Sequence, residues 1–296
     1  MRFSAASLAL LTASAQAVNI ISSNDDGWAE INIRQLYSAL TKAGNDVLIS
    51  APAKNKSGSG SQTATPSALD GPCEFNSCPS GSPGVGFNSS AHQFNYVNSH
   101  PATAMEYGVE TLAPGYFGGV PALAVTGPNV GVNTGVITVV SGTVGAAVEA
   151  VKLGIPAIAF SGAEGSQVAW NAAVPAYSTI YADLSAKVVD ALVASGAPYL
   201  PAGIWLNVNF PKTTGCKSPS EYSFVLSRIY SPVVGFSSVD TETCNNGGRL
   251  PTETTVVGTE GCYASISVGG TNKRDASAAD QAVVLSKLSH LLTCLP

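Results

Sequence analysis

The sequence predicts an α/β fold built on a mainly parallel sheet, and three observations predict it. Short apolar runs alternate with helical patterns as far as about residue 212. The spacing from one run to the next leaves room for a right-handed crossover helix. The chain has 296 residues, of which 45% are hydrophobic and 11% charged, so it has the length and composition to bury a large core.

Each element follows from its own residues. Ile20 to Ser23 reads as a short buried strand. Ile31, Ile33, Leu36, Tyr37 and Leu40 share a helical face, which Ala43-Gly44-Asn45 ends. "DVLISAP" is the second strand, closed by Pro52. From Ala53 to Ala91 the composition turns to Ser, Gly, Pro, Asn and Thr, and a long loop insertion is expected over 53–91. "HQFNYVNS" is a strand, and "PATAMEYGVETL" is a helix with Pro in its first turn. "PALAVTG" is a strand leading into "GPNVGVNTG". "SGTVGAAVEAVKLG" is a helix opened by Ser141 or Thr143 and closed by Gly154. The strand "IPAIAFSG", a long helix near Pro175–Ser195 and the strand "GIWLNVNFP" complete the alternation. After about Thr213 the sequence becomes β-rich and loop-rich, and a last helix is expected from Ser277 to Leu292. There is no internal repeat.

Residues 1–17 read as an export signal: Met1-Arg2, an apolar stretch around Leu8–Leu11, and the small-x-small site Ala15-Gln16-Ala17. Their apolar stretch is too short to span a bilayer. The expected organisation is therefore a signal at 1–17, a core at 18–212, and a cysteine-containing extension at 213–296 packed on the core, in a secreted protein. The six cysteines are Cys73, Cys78, Cys216, Cys244, Cys262 and Cys294, and export makes three disulfides the expectation. Cys73 with Cys78 would staple a local loop, and the other four would tie the C-terminal region. Two sequons are present; Asn88-Ser89-Ser90 is the expected glycan site, and Asn55-Lys56-Ser57 is expected to stay bare.

A net charge of −5 argues against a stable nucleic-acid complex. There is no GxxxxGK[ST], GxSxG or GxGxxG, so P-loop, serine-hydrolase and dinucleotide readings fall away. With three histidines and no CxxC, a zinc–thiolate centre is not supported. His100, before Pro101 at a helix start, reads as structural, and Glu106 and Glu149 as helix-surface or packing residues.

Ligands of open parallel sheets bind beyond the carboxyl ends of the strands. Three such ends carry polar clusters: Asn24-Asp25-Asp26, Ser57-Gly58-Ser59-Gly60, and Gly127 to Asn133. Each alone has a bland reading as a turn or a flexible linker. Together they supply carboxylate, hydroxyl and amide oxygens, which suit a hard divalent cation. A cation would also offset the repulsion between adjacent carboxylates. "SGT" at Ser141 to Thr143 opens a helix whose N-terminus suits a phosphate.

The segments "SNDDG" (Ser23–Gly27), "APAKNKSGSG" (Ala51–Gly60), "TGPNVGVNTG" (Thr126–Gly135) and "SGTVGAAVEAVKLGIPAIAFS" (Ser141–Ser161) resemble the SurE family of metal-dependent nucleotidases and phosphatases. The resemblance covers roughly Asn19 to Ser161. It implies a Rossmann-like sheet with helices on both faces, extended at the C-terminus. Asp25, Asp26, Ser57 and Asn129 fall on the family's metal ligands, with Mg²⁺ or Mn²⁺ the implied cofactor. Gly58, Asn133, Ser141, Gly142 and Thr143 fall on segments lining the phosphate pocket. Asp25 and Asp26 are the implied catalytic pair. The implied partner is a small phosphorylated substrate, nucleoside monophosphates or phosphomonoesters more broadly, and a homodimer that exchanges its C-terminal extensions is a family habit. A secreted binding protein that kept the fold without turnover is the alternative. Departures include Asn32 before Ile33, Pro128 before Asn129, "SHPATAM" at Ser99–Met105, and the Cys73–Cys78 insertion.

Overall fold

Strand β1 (Asn19–Ser23) lies at the heart of a ten-stranded sheet, between β2 (Asp46–Pro52) and β5 (Leu123–Val130), parallel to both. The structure is a computed structural model and describes residues 17–232 and 238–296, so most of the expected signal lies outside the described residues. The remaining strands are β3 (Val85–Asn88), β4 (Ala91–Val97), β6 (Ala157–Gly162), β7 (Ile204–Phe210), β8 (Ser223–Ser227), β9 (Tyr263–Gly270) and β10 (Leu292–Thr293). They run in the order β10-β8-β9-β7-β6-β5-β1-β2-β4-β3. Among the described strands, only the β3–β4 and β7–β9 pairs are antiparallel.

The pleat sends alternate residues to opposite faces. Ile20, Val47, Leu123, Val125, Ile158, Phe160, Leu206 and Val208 join one apolar cluster. Their neighbours Ile21, Leu48, Ala124, Ala157, Ala159 and Trp205 join the other. Helices α1 (Ile31–Lys42) and α6 (Ala176–Ala194) pack together over the first face, through Leu36, Leu40, Leu184 and Val188. Helices α2 (Pro101–Tyr107) and α5 (Gly142–Lys152) pack together over the second, through Met105, Val144 and Val148. Burying each such Ile or Leu side chain is worth about 1.5–3 kcal/mol. The sheet with helices on both faces is as the sequence predicts.

Several boundaries differ from the sequence reading. The 53–91 segment is not all loop: Val85–Asn88 forms the edge strand β3, turned back on β4. It also builds a small core of its own, in which Leu69, Cys73 and Cys78 pack on Trp28, Ile49 and Tyr96. The α2 helix continues through a π-helical turn (Gly108–Leu112) into α3 (Ala113–Phe117). Strand β5 runs past Gly127 to Val130, its register shifting between Thr126 and Asn129. The single turn α4 (Ile137–Val140) was not legible. Beyond Thr213, β8, β9 and β10 join the main sheet, accompanied by α7 (Glu253–Gly258) and α8 (Ala278–Lys287), which stops short of Leu292.

Three disulfides, Cys73–Cys78, Cys216–Cys262 and Cys244–Cys294, follow the expected division into one local staple and two C-terminal ties. Arg228 adds a buried tie, its Nη1 lying 2.7 Å from Asp240 Oδ2. Glu149 pairs with Lys152 on the surface of α5. No described helix is long and apolar enough to cross a membrane.

Candidate active site

The turn after β1 is closed by Asn24. Its Nδ2 donates to Gly27 O (3.0 Å) and its Oδ1 accepts from Gly27 N–H (3.1 Å). Asn24 therefore does the turn-making that adjacent Asp residues often do, and Asp25 and Asp26 are free for other work. Both are buried.

Asp25 lies against the start of α5. Thr143 Oγ1 donates to Asp25 Oδ1 at 2.5 Å, and the main-chain N–H groups of Gly142 and Thr143 face the same carboxylate. A β-carbon on Gly142 would come within 2.7 Å of Asp25 Cβ and 3.0 Å of both Asp25 Oδ2 and Pro101 Cγ, so the approach requires glycine. Ser141, not Thr143, caps α5: its Oγ accepts from Val144 N–H (3.1 Å). The helix N-terminus, expected to suit a phosphate, thus holds Asp25 itself.

Asp26 faces the other way. Its Oδ2 accepts from Val130 N–H (3.0 Å) and its Oδ1 from Gln167 Nε2 (2.6 Å). Val130 follows Asn129, whose Nδ2 donates to Gly131 O (2.6 Å) and Val130 O (3.2 Å), leaving its carbonyl oxygen as the group for a cation. Ser57 is exposed one residue beyond Lys56, whose N–H donates to Asp25 O at 2.7 Å. Gly58 turns the loop in a left-handed conformation (φ 78°), and Gly60 N–H then reaches Val140 O (2.9 Å). Asp25, Asp26, Asn129, Ser141, Gly142 and Thr143 are in this way brought together, while Ser57 is tied to them only through the main-chain bond of its neighbour Lys56 to Asp25.

Asn133 is placed differently. Its N–H donates to Asn209 Oδ1 (2.8 Å), its Nδ2 to Ser161 Oγ (2.8 Å), and its carbonyl accepts from Asn207 Nδ2 (2.7 Å). Asn207 Nδ2 also donates to the buried Glu253 (2.7 Å), whose other oxygen accepts from Gly135 N–H (3.2 Å). Asn133 is thus the anchored end of the Gly131–Gly135 loop.

The electrostatics are those of a site short of positive charge. Burial raises Asp25 above the usual carboxylate range, against the pull of Thr143. Burial, then the charge of Asp25, pushes Asp26 up to about 7. Two acids missed by sequence reasoning join them. Glu74, from the Cys73–Cys78 loop, lies over Gly27 and is pushed up to about 7 by burial, with Oε2 buried and unpartnered. Glu30 caps α1 through Asn32 N–H (2.6 Å) and is pushed to about 8 by burial and then by Asp26, with Oε1 unpartnered. Orphaned buried carboxylate oxygens and raised proton affinities are what a divalent cation would relieve. Among the described residues no three His, Cys, Asp or Glu side chains converge on a metal position. Two carboxylates with a hydroxyl and an amide fit a hard ion that keeps part of its water shell.

His100 opens α2 without capping it and, with Lys54, Lys56, Asn98 and Ser99, lines a cavity of about 500 Å³. Glu74 had one signal in the sequence, an acid inside a stapled loop, and Asn207 and Asn209 had another, two amides on one side of an apolar strand. Gln167 had none.

The family model described as Survival protein SurE matches residues 20–228. The chain belongs to the SurE family. The match runs on through β7 to the end of β8, well past Ser161, where the motifs end. A protein named "Acid phosphatase" from Yarrowia lipolytica is 34% identical over 283 residues, covering 86% of this chain and 79% of that protein. A "5'-nucleotidase SurE" from Polaromonas naphthalenivorans is 33% identical over 194 residues, covering 66% of each chain. The crystal structure of SurE from Aquifex aeolicus superposes with a TM-score of 0.60 at 22% identity, covering 85% of this chain and 93% of that one, a likeness of fold.

Proposed function

We propose that this SurE-family chain is a divalent-metal-dependent phosphomonoester hydrolase, acting on nucleoside monophosphates or more broadly as a phosphatase. The observation that carries the reading is the pair of buried carboxylates, Asp25 and Asp26, divided between the α5 N-terminus and the Asn129–Val130 strand end. Family membership and the names of the two relatives support it.

Asp26, Ser57 and Asn129, with Asp25 beside them, would hold Mg²⁺ or Mn²⁺. When bound, such a cation offsets charge on a phosphoryl oxygen and acidifies water. Asp25 would position the attacking water and accept its proton; the water oxygen forms the new P–O bond as the ester P–O bond breaks, the leaving alkoxide takes a proton from solvent, and Asp25 returns its proton to solvent. Thr143 and the Gly142 and Thr143 N–H groups hold Asp25 on line for this. The phosphate would lie beside Gly58 and the Ser141–Thr143 turn, while Asn133, its N–H and Nδ2 committed to Asn209 and Ser161, shapes the pocket by anchoring the Gly131–Gly135 loop.

The wider reading is a secreted, homodimeric protein with its signal at 1–17, its core at 18–212 and its extension at 213–296, and with no stable nucleic-acid complex. The three disulfides support export. Asn88, at the β3–β4 turn with Oδ1 accepting from Ser90 N–H (2.9 Å), carries the glycan. Asn55, whose N–H faces Glu74 beside the site, stays bare. Glycopeptide mapping checks both, and occupancy at Asn55 in active protein would overturn the second.

The activity is tested by phosphate release from nucleoside monophosphates, an aryl phosphate and short polyphosphate, each with Mg²⁺, Mn²⁺ or EDTA. Release that EDTA abolishes is expected, and the ranking of substrates separates nucleotidase from general phosphatase. Release undiminished by EDTA refutes the metal.

A further inference from the structure

We propose that Gln167 is a positioning residue for Asp26: from a loop far along the chain, its side-chain amide fixes the orientation of the carboxylate that would hold the cation. The assignment rests on the metal-site reading above. Asp26 takes one donor on each oxygen, Val130 N–H on Oδ2 (3.0 Å) and Gln167 Nε2 on Oδ1 (2.6 Å). Two donors on opposite oxygens set the plane of the carboxylate, and each oxygen keeps a lone-pair site for a cation.

Val130 belongs to β5, the strand that also carries Asn129, so one of the two donors is built into the sheet. Gln167 stands on the segment between β6 and α6, and that segment is tied to the same turn. Ile31 N–H donates to Val168 O (2.9 Å), Trp170 N–H donates to Ala29 O (2.9 Å), and Glu30 forms an isolated antiparallel bridge with Ala169. These ties, within three residues of Gln167, make the segment an arm clamped to the stretch after Asp26. Gln167 is itself exposed, so burial does not account for its pose; a short bond to a buried carboxylate does. The residue type also suits the task. An amide donates without adding charge, whereas Lys or Arg would compete with a cation and Glu would repel Asp26.

The test is Mn²⁺ binding by titration calorimetry on the wild-type protein, Gln167→Ala and Gln167→Leu. It is read beside thermal melts of the metal-free proteins and the Mn²⁺ dependence of aryl phosphate hydrolysis. Leu keeps most of the side-chain bulk and removes only the donor. Partners that orient a metal ligand are worth about 10–100-fold in affinity or activity. Both variants should therefore bind Mn²⁺ about tenfold more weakly and need correspondingly more Mn²⁺ for half-maximal rate. Their melting temperatures should stay at the wild-type value. Wild-type affinity in both variants overturns the assignment, and so does tighter binding, which would make Gln167 a competitor for Oδ1. A wild-type protein that binds no Mn²⁺ overturns the metal-site reading itself, and this assignment with it.

Discussion

Gly142→Ala isolates the contact between α5 and Asp25. The new β-carbon would stand 2.7 Å from Asp25 Cβ and 3.0 Å from Pro101 Cγ. Ordinary carbon–carbon contact is about 3.5–4.0 Å, so Asp25 or the helix must yield by roughly an ångström. Two effects on stability oppose each other. Alanine favours the first turn of a helix by up to about 1 kcal/mol over glycine, while overpacking costs about 1–3 kcal/mol. The net is a loss of about 1 kcal/mol, a small shift in Tm for a chain of this size. Catalysis is far more sensitive, since a misplacement of about 1 Å can cost about 10²-fold. Phosphate release should therefore fall about 100-fold while the melt moves little. Gly115→Ala, in α3 with nothing within 4 Å of its β-carbon, serves as the control and should change neither. Wild-type turnover in Gly142→Ala would refute the packing argument and the role given to Asp25.

Two further outcomes are expected. Thr143→Val removes the hydroxyl that donates to Asp25 and should lower kcat about 10–100-fold, with Thr143→Ser restoring most of it; equal rates in Val and Ser variants would count against the hydrogen bond. Glu253 is held at about 8 in the fold, chiefly by burial, against its ordinary 4.5. Between those values the folded state binds more protons than the unfolded chain, so stability is full below about 4.5 and is lost as pH rises towards 8. Glu30, raised to about 8 by burial and then by Asp26, acts in the same direction. The Tm of metal-free protein should fall from pH 5 to pH 8, and Glu253→Gln should flatten that slope by up to about 1.4 kcal/mol per pH unit. A Tm that rises over this window contradicts the buried-acid account.

The sheet and its helices were legible because each run carries its own signal: Leu36 and Leu40 at helical spacing, Val47 to Pro52 as an unbroken buried run, Ser141 as a cap. What escaped depends on distant partners. Val85–Asn88 becomes a strand only because β4 offers an edge, and its Ser- and Gly-rich surroundings read as loop. Strand β5 continues through Pro128 because Ser161 and Gly162 of β6 pair with Asn129 and Val130. At the site, the strand-end clusters stood out as local composition. Gln167 and Glu30 did not, because their roles arise where the β6–α6 segment meets the start of α1. The motif points to Asn133 as a pocket residue, and its ties to Ser161, Asn207 and Asn209 appear only in the folded sheet.

The central claim is that Asp26 holds a catalytic cation beside Asp25, and Asp26→Asn tests it most directly. Asparagine keeps the size of the side chain and removes its charge. Wild type and variant would be compared for phosphate release from an aryl phosphate over a Mn²⁺ series and with EDTA. The account predicts Mn²⁺-dependent release by the wild type and its loss, by about 10²-fold or more, in a variant that melts like the wild type. A variant with full turnover at the same Mn²⁺ requirement, or a folded wild type that binds Mn²⁺ yet releases no phosphate from any substrate, would contradict it.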